Sequence, residues 1–246
     1  MSFACSKRYF ASVPKQPGDG DRNADAFRWR PAQRVLALCA GATESFDSRL
    51  WARILARRFG RDRNLTPAWI SAAIKVFRRL HKPAALSWSR RAAYDRGSFA
   101  TLLGVEAEAD GSAARLVAVG DTVAVLLDGP ALVASFPYDN AEDFRRRPAL
   151  LSTRPEHNKF LSKPAAAPGT PRLASTVWRL DSCAEPRIVC MTDAVAEWFL
   201  GLAGADRTSG DILLALKEPA QFDAVVAHER DAGRMRVDDA TIVILE

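Results

Sequence analysis

No stretch of this 246-residue chain approaches the roughly 18 uninterrupted apolar positions that a membrane-spanning helix requires. The basic residues near its start, Lys7 and Arg8, are not followed by an apolar run of the kind an export signal carries. Together these absences lead to the expectation of a soluble, cytoplasmic protein with no membrane partner. Cysteine is scarce, and Cys5, Cys39, Cys183 and Cys190 contain no C-x-x-C pair. Cys39 and Cys190 sit in apolar, strand-like runs, where a free thiol packs as a small hydrophobe, as suits a reducing compartment. Histidine is scarcer still. His81, His157 and His228 are scattered without the spacing of a zinc site, and neither Ser45 nor Ser98 has the nearby histidine and acid that would make it a nucleophile.

Basic charge is in excess but is not clustered. The 35 Lys and Arg outnumber the 29 Asp and Glu, for a formal net charge of +6, and arginine spread along the chain carries nearly all of the excess. A nucleic-acid binder more often shows a basic stripe interleaved with exposed aromatics, or a helix-turn-helix, zinc-finger or RNA-binding-sheet signature, and none is present. A solvated basic surface is therefore expected and a nucleic-acid partner is not, while a phosphorylated ligand suits the same field. With 48% apolar and 26% charged residues the chain can bury one large core, and a single domain over residues 1–246 is expected.

Periodicity places the elements. Strands are expected at 3–13 and 26–30, and the continuous apolar run Val35-Leu36-Ala37-Leu38-Cys39-Ala40 reads as a strand buried on both faces. Apolar residues at helical spacing predict helices over 45–59 and 67–80, with Pro67 in a first turn, and a third over 84–94. Arg49, Arg53 and Arg57 recur on another face of the first helix and are expected in solvent. Val- and Leu-rich runs at 98–109, 114–127 and 131–136, separated by Asp110-Gly111 and Asp128-Gly129-Pro130, predict an antiparallel meander. Residues 139–185 carry much of the proline and are expected to form an irregular flap. A strand over 187–192, helices over 194–202 and, with Pro219 marking a break, over 211–230, and a strand over 241–245 complete the pattern. Trp51, Trp69, Trp88, Trp178 and Trp198 lie in apolar contexts and are expected in the core.

Five short segments carry the chemistry: Arg22-Asn23-Ala24-Asp25-Ala26-Phe27, Ala40-Gly41-Ala42-Thr43-Glu44-Ser45, Gly120-Asp121, Met191-Thr192-Asp193-Ala194 and Val237-Asp238-Asp239-Ala240-Thr241. In this order and at these distances the chain resembles the metal-dependent protein phosphatases of the type 2C (PPM) superfamily, in particular its compact bacterial branch. Each motif alone is weak; five in the family's order are specific. The resemblance covers almost the whole chain and implies an α+β fold, a four-layer α/β/β/α sandwich of two antiparallel sheets flanked by helices.

That family holds two Mn²⁺ or Mg²⁺ ions, which bind the phosphate and lower the pKa of a bridging water that attacks phosphorus. Hard cations of this kind take oxygen ligands, hence aspartates and a backbone carbonyl rather than histidine or cysteine. Carried across by motif, Asp193 and Asp238 match carboxylates on the first metal, and Asp25 matches the aspartate beside the second metal's glutamate. Gly41 supplies the matching carbonyl, and Asp121 matches the Gly-Asp position near a third-metal site. Arg22 is the nearest counterpart of the family's phosphate-holding arginine, at a spacing that departs from the pattern.

Two further departures fall at the centre. Ala24 stands where the family has the glutamate of Glu-Asp, and Ala40 where it has the aspartate that bridges both metals. A methyl group coordinates nothing, so one ion or none is expected here. Glu44, four residues past Ala40, is a candidate substitute ligand, against the plain reading of an acid at a helix start. The resemblance implies a serine/threonine phosphoprotein phosphatase in catalytically disabled form, or alternatively a natural pseudophosphatase that binds a phosphorylated protein or a partner kinase without hydrolysis. Restoring Ala24→Glu and Ala40→Asp together is expected to restore activity with no other repair.

Overall fold

In the computed structural model, which describes residues 3–16, 18, 23–162, 173–205 and 209–246, the two ends of the chain lie side by side. The first strand, β1 (Lys7–Val13), pairs antiparallel with the last, β12 (Ala240–Leu245). One sheet continues from β12 through β11 (Pro186–Met191) and β7 (Val123–Asp128) to β8 (Ala131–Phe136). The second sheet runs, in spatial order, through β10 (Ala174–Arg179), β6 (Ala113–Val119), β5 (Leu102–Ala107), β3 (Val35–Cys39) and β2 (Ala26–Arg30). All the ladders are antiparallel. A two-stranded ribbon of β4 (Phe99–Ala100) and β9 (Leu151–Ser152) sits apart.

Three apolar clusters define the layers. Between the sheets, Leu36, Leu38, Leu103 and Val105 of the second sheet meet Leu126, Ile188, Val243 and Leu245 of the first. The outer face of the second sheet buries Trp51, Leu55 and Phe59 of α1 (Ser48–Phe59) and Trp69, Ile74 and Phe77 of α2 (Pro67–Leu80). The outer face of the first buries Trp198 and Phe199 of α4 (Asp193–Ala205) and Phe222 and Val226 of α6 (Pro219–Asp231). The result is the expected α/β/β/α sandwich. Local chemistry sets the element ends: α2 begins where Thr66 accepts the Trp69 N–H and Pro67 takes the first turn. α1 lies so close on β5 that a Cβ at Gly104 would stand 2.1 Å from Phe59 Cζ.

Four expectations are corrected. The run 114–127 is two strands in different sheets, because Gly120, at φ +102°, turns the chain out of β6 and across to β7; the meander is therefore a crossing. The segment 139–185 is not wholly irregular, since it contains β9 and the edge strand β10, which completes the second sheet; residues 163–172 of it lie outside the described residues. The third helix, α3 (Trp88–Arg96), starts later than expected, after a separate 3₁₀ turn at Pro83–Ala85. Trp88, placed in the core from its sequence context, is 85% exposed at the start of that helix. The stretch 211–230 is broken at Pro219 as expected, into α5 (Gly210–Leu214) and α6. All four cysteines are free and buried. Among the described residues no helix is long and apolar enough to cross a membrane.

Candidate functional site

Antiparallel pairing brings the start of β2, the end of β3, the β6–β7 crossing, the end of β11 and the start of β12 to one end of the sandwich. There Asp25, Gly41, Asp121, Asp193 and Asp238 line one cavity of about 150 Å³, together with Ala40, Thr43, Thr101 and Asp239. Asp121, Asp193 and Asp238 hang from the first sheet; Asp25, Ala40 and Gly41 come from the second. Arg22 lies outside the described residues. Glu44 is exposed and is not among the lining residues, so the substitute-ligand idea finds no geometry.

Each carboxylate is held by the local backbone. Asp25 Oδ2 accepts hydrogen bonds from the Thr241 hydroxyl at 2.6 Å and the Thr192 hydroxyl at 3.2 Å. Asp239 accepts the backbone N–H of Lys15 on one oxygen and of Ala24 on the other, both at 2.7 Å, which ties the segment before β2 to the end of β1. Asp238 accepts the N–H of Asp239 at 2.9 Å. Asp193 opens α4, and its Oδ1 accepts the Ala194 N–H at 3.0 Å. Ala40 donates its N–H to the Thr101 hydroxyl, itself 2.5 Å from that of Thr122. Asp121 is 8% exposed.

Burial first, and then the neighbouring acids, raise the proton affinity of these carboxylates. Burial, then the neighbouring Asp121, push Asp193 up to about 7, with Arg236 pulling the other way. Burial also pushes Asp121 up, and Asp25 well above the ordinary carboxylate range. The folded chain thus holds a proton on Asp193 at pH values where the unfolded chain has released it, so stability falls as pH rises from about 4 to about 7. The expected result is a lower melting temperature at pH 8 than at pH 5, with Asp193→Asn flattening the profile by an amount on the order of 1–3 kcal/mol. A natural chain whose profile matches that of Asp193→Asn would sink this reading.

No family model and no curated protein matches the chain. Solved structures do. The photosystem II phosphatase PBCP superposes with a TM-score of 0.58 at 12% identity, over 97% of this chain and 98% of that one. The catalytic domain of the serine/threonine protein phosphatase PstP, in complex with two manganese ions, gives 0.55 at 15% identity over 96% of both chains. PppA, a regulatory component of the type VI secretion system in Pseudomonas aeruginosa, gives 0.51 at 17% over 97% of both. The chain has the PPM-type phosphatase fold.

Within that PPM-type fold the donor set does not fit a pair of divalent ions. Ala40, at a position that the resemblance gives to a ligand, lines the cavity and offers only a methyl group, while Ala24, at the other such position, does not line it; their N–H groups donate to the Thr101 hydroxyl and to Asp239, respectively. Among the described residues no group of three His, Cys, Asp or Glu is arranged to hold a metal. A cation is nonetheless present. The Arg236 guanidinium pairs with Asp193 Oδ2 and lies 3.3 Å from Glu197 Oε2. Its charge also pulls against the raised proton affinity of Asp121. Sequence reading passed over Arg236; the available signal was only its place two residues before Asp238.

Proposed function

We propose that this chain is a pseudophosphatase: a protein of the PPM-type phosphatase fold that engages a phosphorylated protein or its kinase without hydrolysing the phosphate. The observation that carries the reading is Arg236 paired with Asp193, one of the carboxylates lining a cavity in which Ala40 stands at a ligand position. In PPM-type chemistry the metal pair activates the attacking water, and nothing among the residues of this cavity replaces that function. The side chains here hold protons and one fixed cation. They orient no nucleophile. A merely disabled enzyme would be expected to keep Asp193 open; an arginine clamped across it supports a site settled in a metal-free form. A single PPM-type domain, acting within a serine/threonine kinase–phosphatase system, is part of the same proposal.

The test is direct. With millimolar Mn²⁺ or Mg²⁺, the chain is expected to show no turnover of para-nitrophenyl phosphate or a phosphothreonine peptide above background, and no rise in melting temperature on adding Mn²⁺. Metal-dependent turnover at an ordinary phosphatase rate, about 1 s⁻¹ or faster, would overturn the proposal.

A further inference from the structure

The basic excess of the chain belongs to one layer of the fold. Residues 48–96, which supply α1, α2 and α3 on the outer side of the second sheet, hold thirteen Lys and Arg against two acids, Asp62 and Asp95, a net charge of +11. The whole chain carries +6, so the rest of the molecule is net negative, at −5. Favourable charge at helix ends accounts for Arg57 and Arg58 in the last turn of α1 and for Arg78 and Arg79 in that of α2. The remainder has no such local reason. The expectation from sequence, basic residues without clustering, is corrected: the charge forms one face.

Bare apolar side chains stand at the edge of this layer. α3 has no buried residue and rests on the body through Ala93 and Tyr94, the Tyr94 ring lying 6.4 Å from that of Phe77 and 5.9 Å from that of His81. At about 3.6 residues per turn Trp88 falls on the opposite side of this helix, and it is 85% exposed. On α2, Val76 and Leu80, 41% and 60% exposed, stand one turn apart on one stripe, with Lys75 and Arg79 on the stripe beside them. Lys75, Arg78, Arg79 and Lys82 are exposed, and their side chains make no hydrogen bond or ion pair among the described residues. Arg91 is paired with Asp95, and Arg90 lies over the Phe46 ring. A nine-residue helix without a buried side chain gains little from the body of the protein, and a covering surface would complete it.

The apolar residues decide which polyanion fits this field. A nucleic acid stacks its bases on aromatic faces and leaves Leu80 and Val76 in water. An acidic peptide offers no pocket to an indole that projects from the surface. An anionic bilayer suits both: indole and aliphatic side chains enter the boundary between headgroups and acyl chains, while Lys and Arg lie among the lipid phosphates. The net negative remainder of the molecule is repelled by the same surface, which sets the orientation of approach. We propose that the α2–α3 edge of this layer is a peripheral docking site for an anionic lipid bilayer, anchored by Trp88, Leu80 and Val76 and by Lys75, Arg79 and Lys82. This is attachment to a surface and not a span, and it departs from the expectation from sequence of no membrane partner. It does not depend on whether the chain hydrolyses phosphate.

The experiment titrates the full chain, by sedimentation, with vesicles of phosphatidylcholine alone and with vesicles containing about 30% phosphatidylglycerol. Binding to the anionic vesicles is expected to be about 20-fold tighter and to weaken steeply between about 0.05 and 0.3 M salt. Trp88→Ala is expected to weaken it about tenfold and to remove the blue shift of tryptophan emission on vesicle addition, and Lys75→Glu with Arg79→Glu to weaken it about 20-fold. Exposed positions tolerate substitution, and melting curves check that each variant is folded. Equal binding to both kinds of vesicle, or binding indifferent to these variants, would overturn the site. Single-stranded DNA bound more tightly than the anionic vesicles, and lost in the same variants, would make this face a nucleic-acid interface and overturn the assignment to a bilayer. Polyglutamate displacing the vesicles at equal charge concentration would identify an acidic protein partner and overturn it equally.

Discussion

A triple variant carrying Ala24→Glu, Ala40→Asp and Arg236→Gln is expected to gain Mn²⁺-dependent hydrolysis of para-nitrophenyl phosphate, about 100-fold or more above the natural chain. Losing even a partner that only orients a ligand typically costs about 10–100-fold in metal affinity or activity, and two ligand positions are missing here. The Ala40 change returns a carboxylate to the lining of the cavity that holds Asp25, Asp121, Asp193 and Asp238, and the Ala24 change adds one next to Asp25 in the chain. The third frees Asp193, which the Arg236 guanidinium holds. The double variant, without the arginine change, is expected to fall well short of the triple, because a fixed positive charge opposes a divalent ion at the same carboxylate. This revises the expectation from sequence that two substitutions suffice. Calorimetry resolving two tight Mn²⁺ sites in the triple variant with no turnover would show that the surrounding shell has also diverged.

Gly120→Val is expected to destabilise the chain by about 3–5 kcal/mol in urea unfolding, far more than a surface substitution. Gly120 adopts φ +102°, and a Cβ there would stand 2.6 Å from Thr101 Cγ2 and 3.2 Å from Ala149 O. Backbone strain of about 1–3 kcal/mol adds to the cost of forcing packed atoms apart. Thr101 bonds both Ala40 and Thr122, so the clash reaches the cavity floor directly. A measured loss under about 1 kcal/mol would mean that the crossing between sheets is looser than its geometry states.

The same glycine marks where sequence reading reached its limit. Residues 114–127 have an unbroken apolar character, and hydropathy records that the segment is buried without recording in which layer. Only the backbone conformation at Gly120 divides it between two sheets. The edge strand β10 was hidden for a related reason: its burial alternates residue by residue, but its apolar residues do not follow it, Val177 facing out while Thr176 faces in, and the preceding residues are rich in proline. In contrast α2 was legible to the residue, because Thr66-Pro67 at one end and Lys82-Pro83 beyond the other are local signals that no tertiary contact overrides. The convergence of the aspartates was legible because they follow one another at strand ends in a fixed order, Asp121 and Asp193 beside Gly or Thr. Arg236 was not, since its meaning depends on where Asp193 and Glu197 lie in space. Trp88 misled because composition cannot tell a covered helix face from a bare one.

The acids at the cavity come from opposite sheets. Their separation is held at the cavity by the hydrogen bonds of Asp25 to Thr241 and Thr192, and behind it by the interlocking of Leu36, Leu38, Leu103 and Val105 with Leu126, Ile188, Val243 and Leu245. The sandwich therefore works as a calliper whose jaws are the carboxylates. A methylene trimmed from the middle layer would let the jaws settle closer or slide past one another, changing the burial of Asp25 and the repulsion it feels from Asp193, and with them its proton affinity. Drift confined to leucine and valine can retune the acidity of this end of the molecule while every polar residue stays as it was.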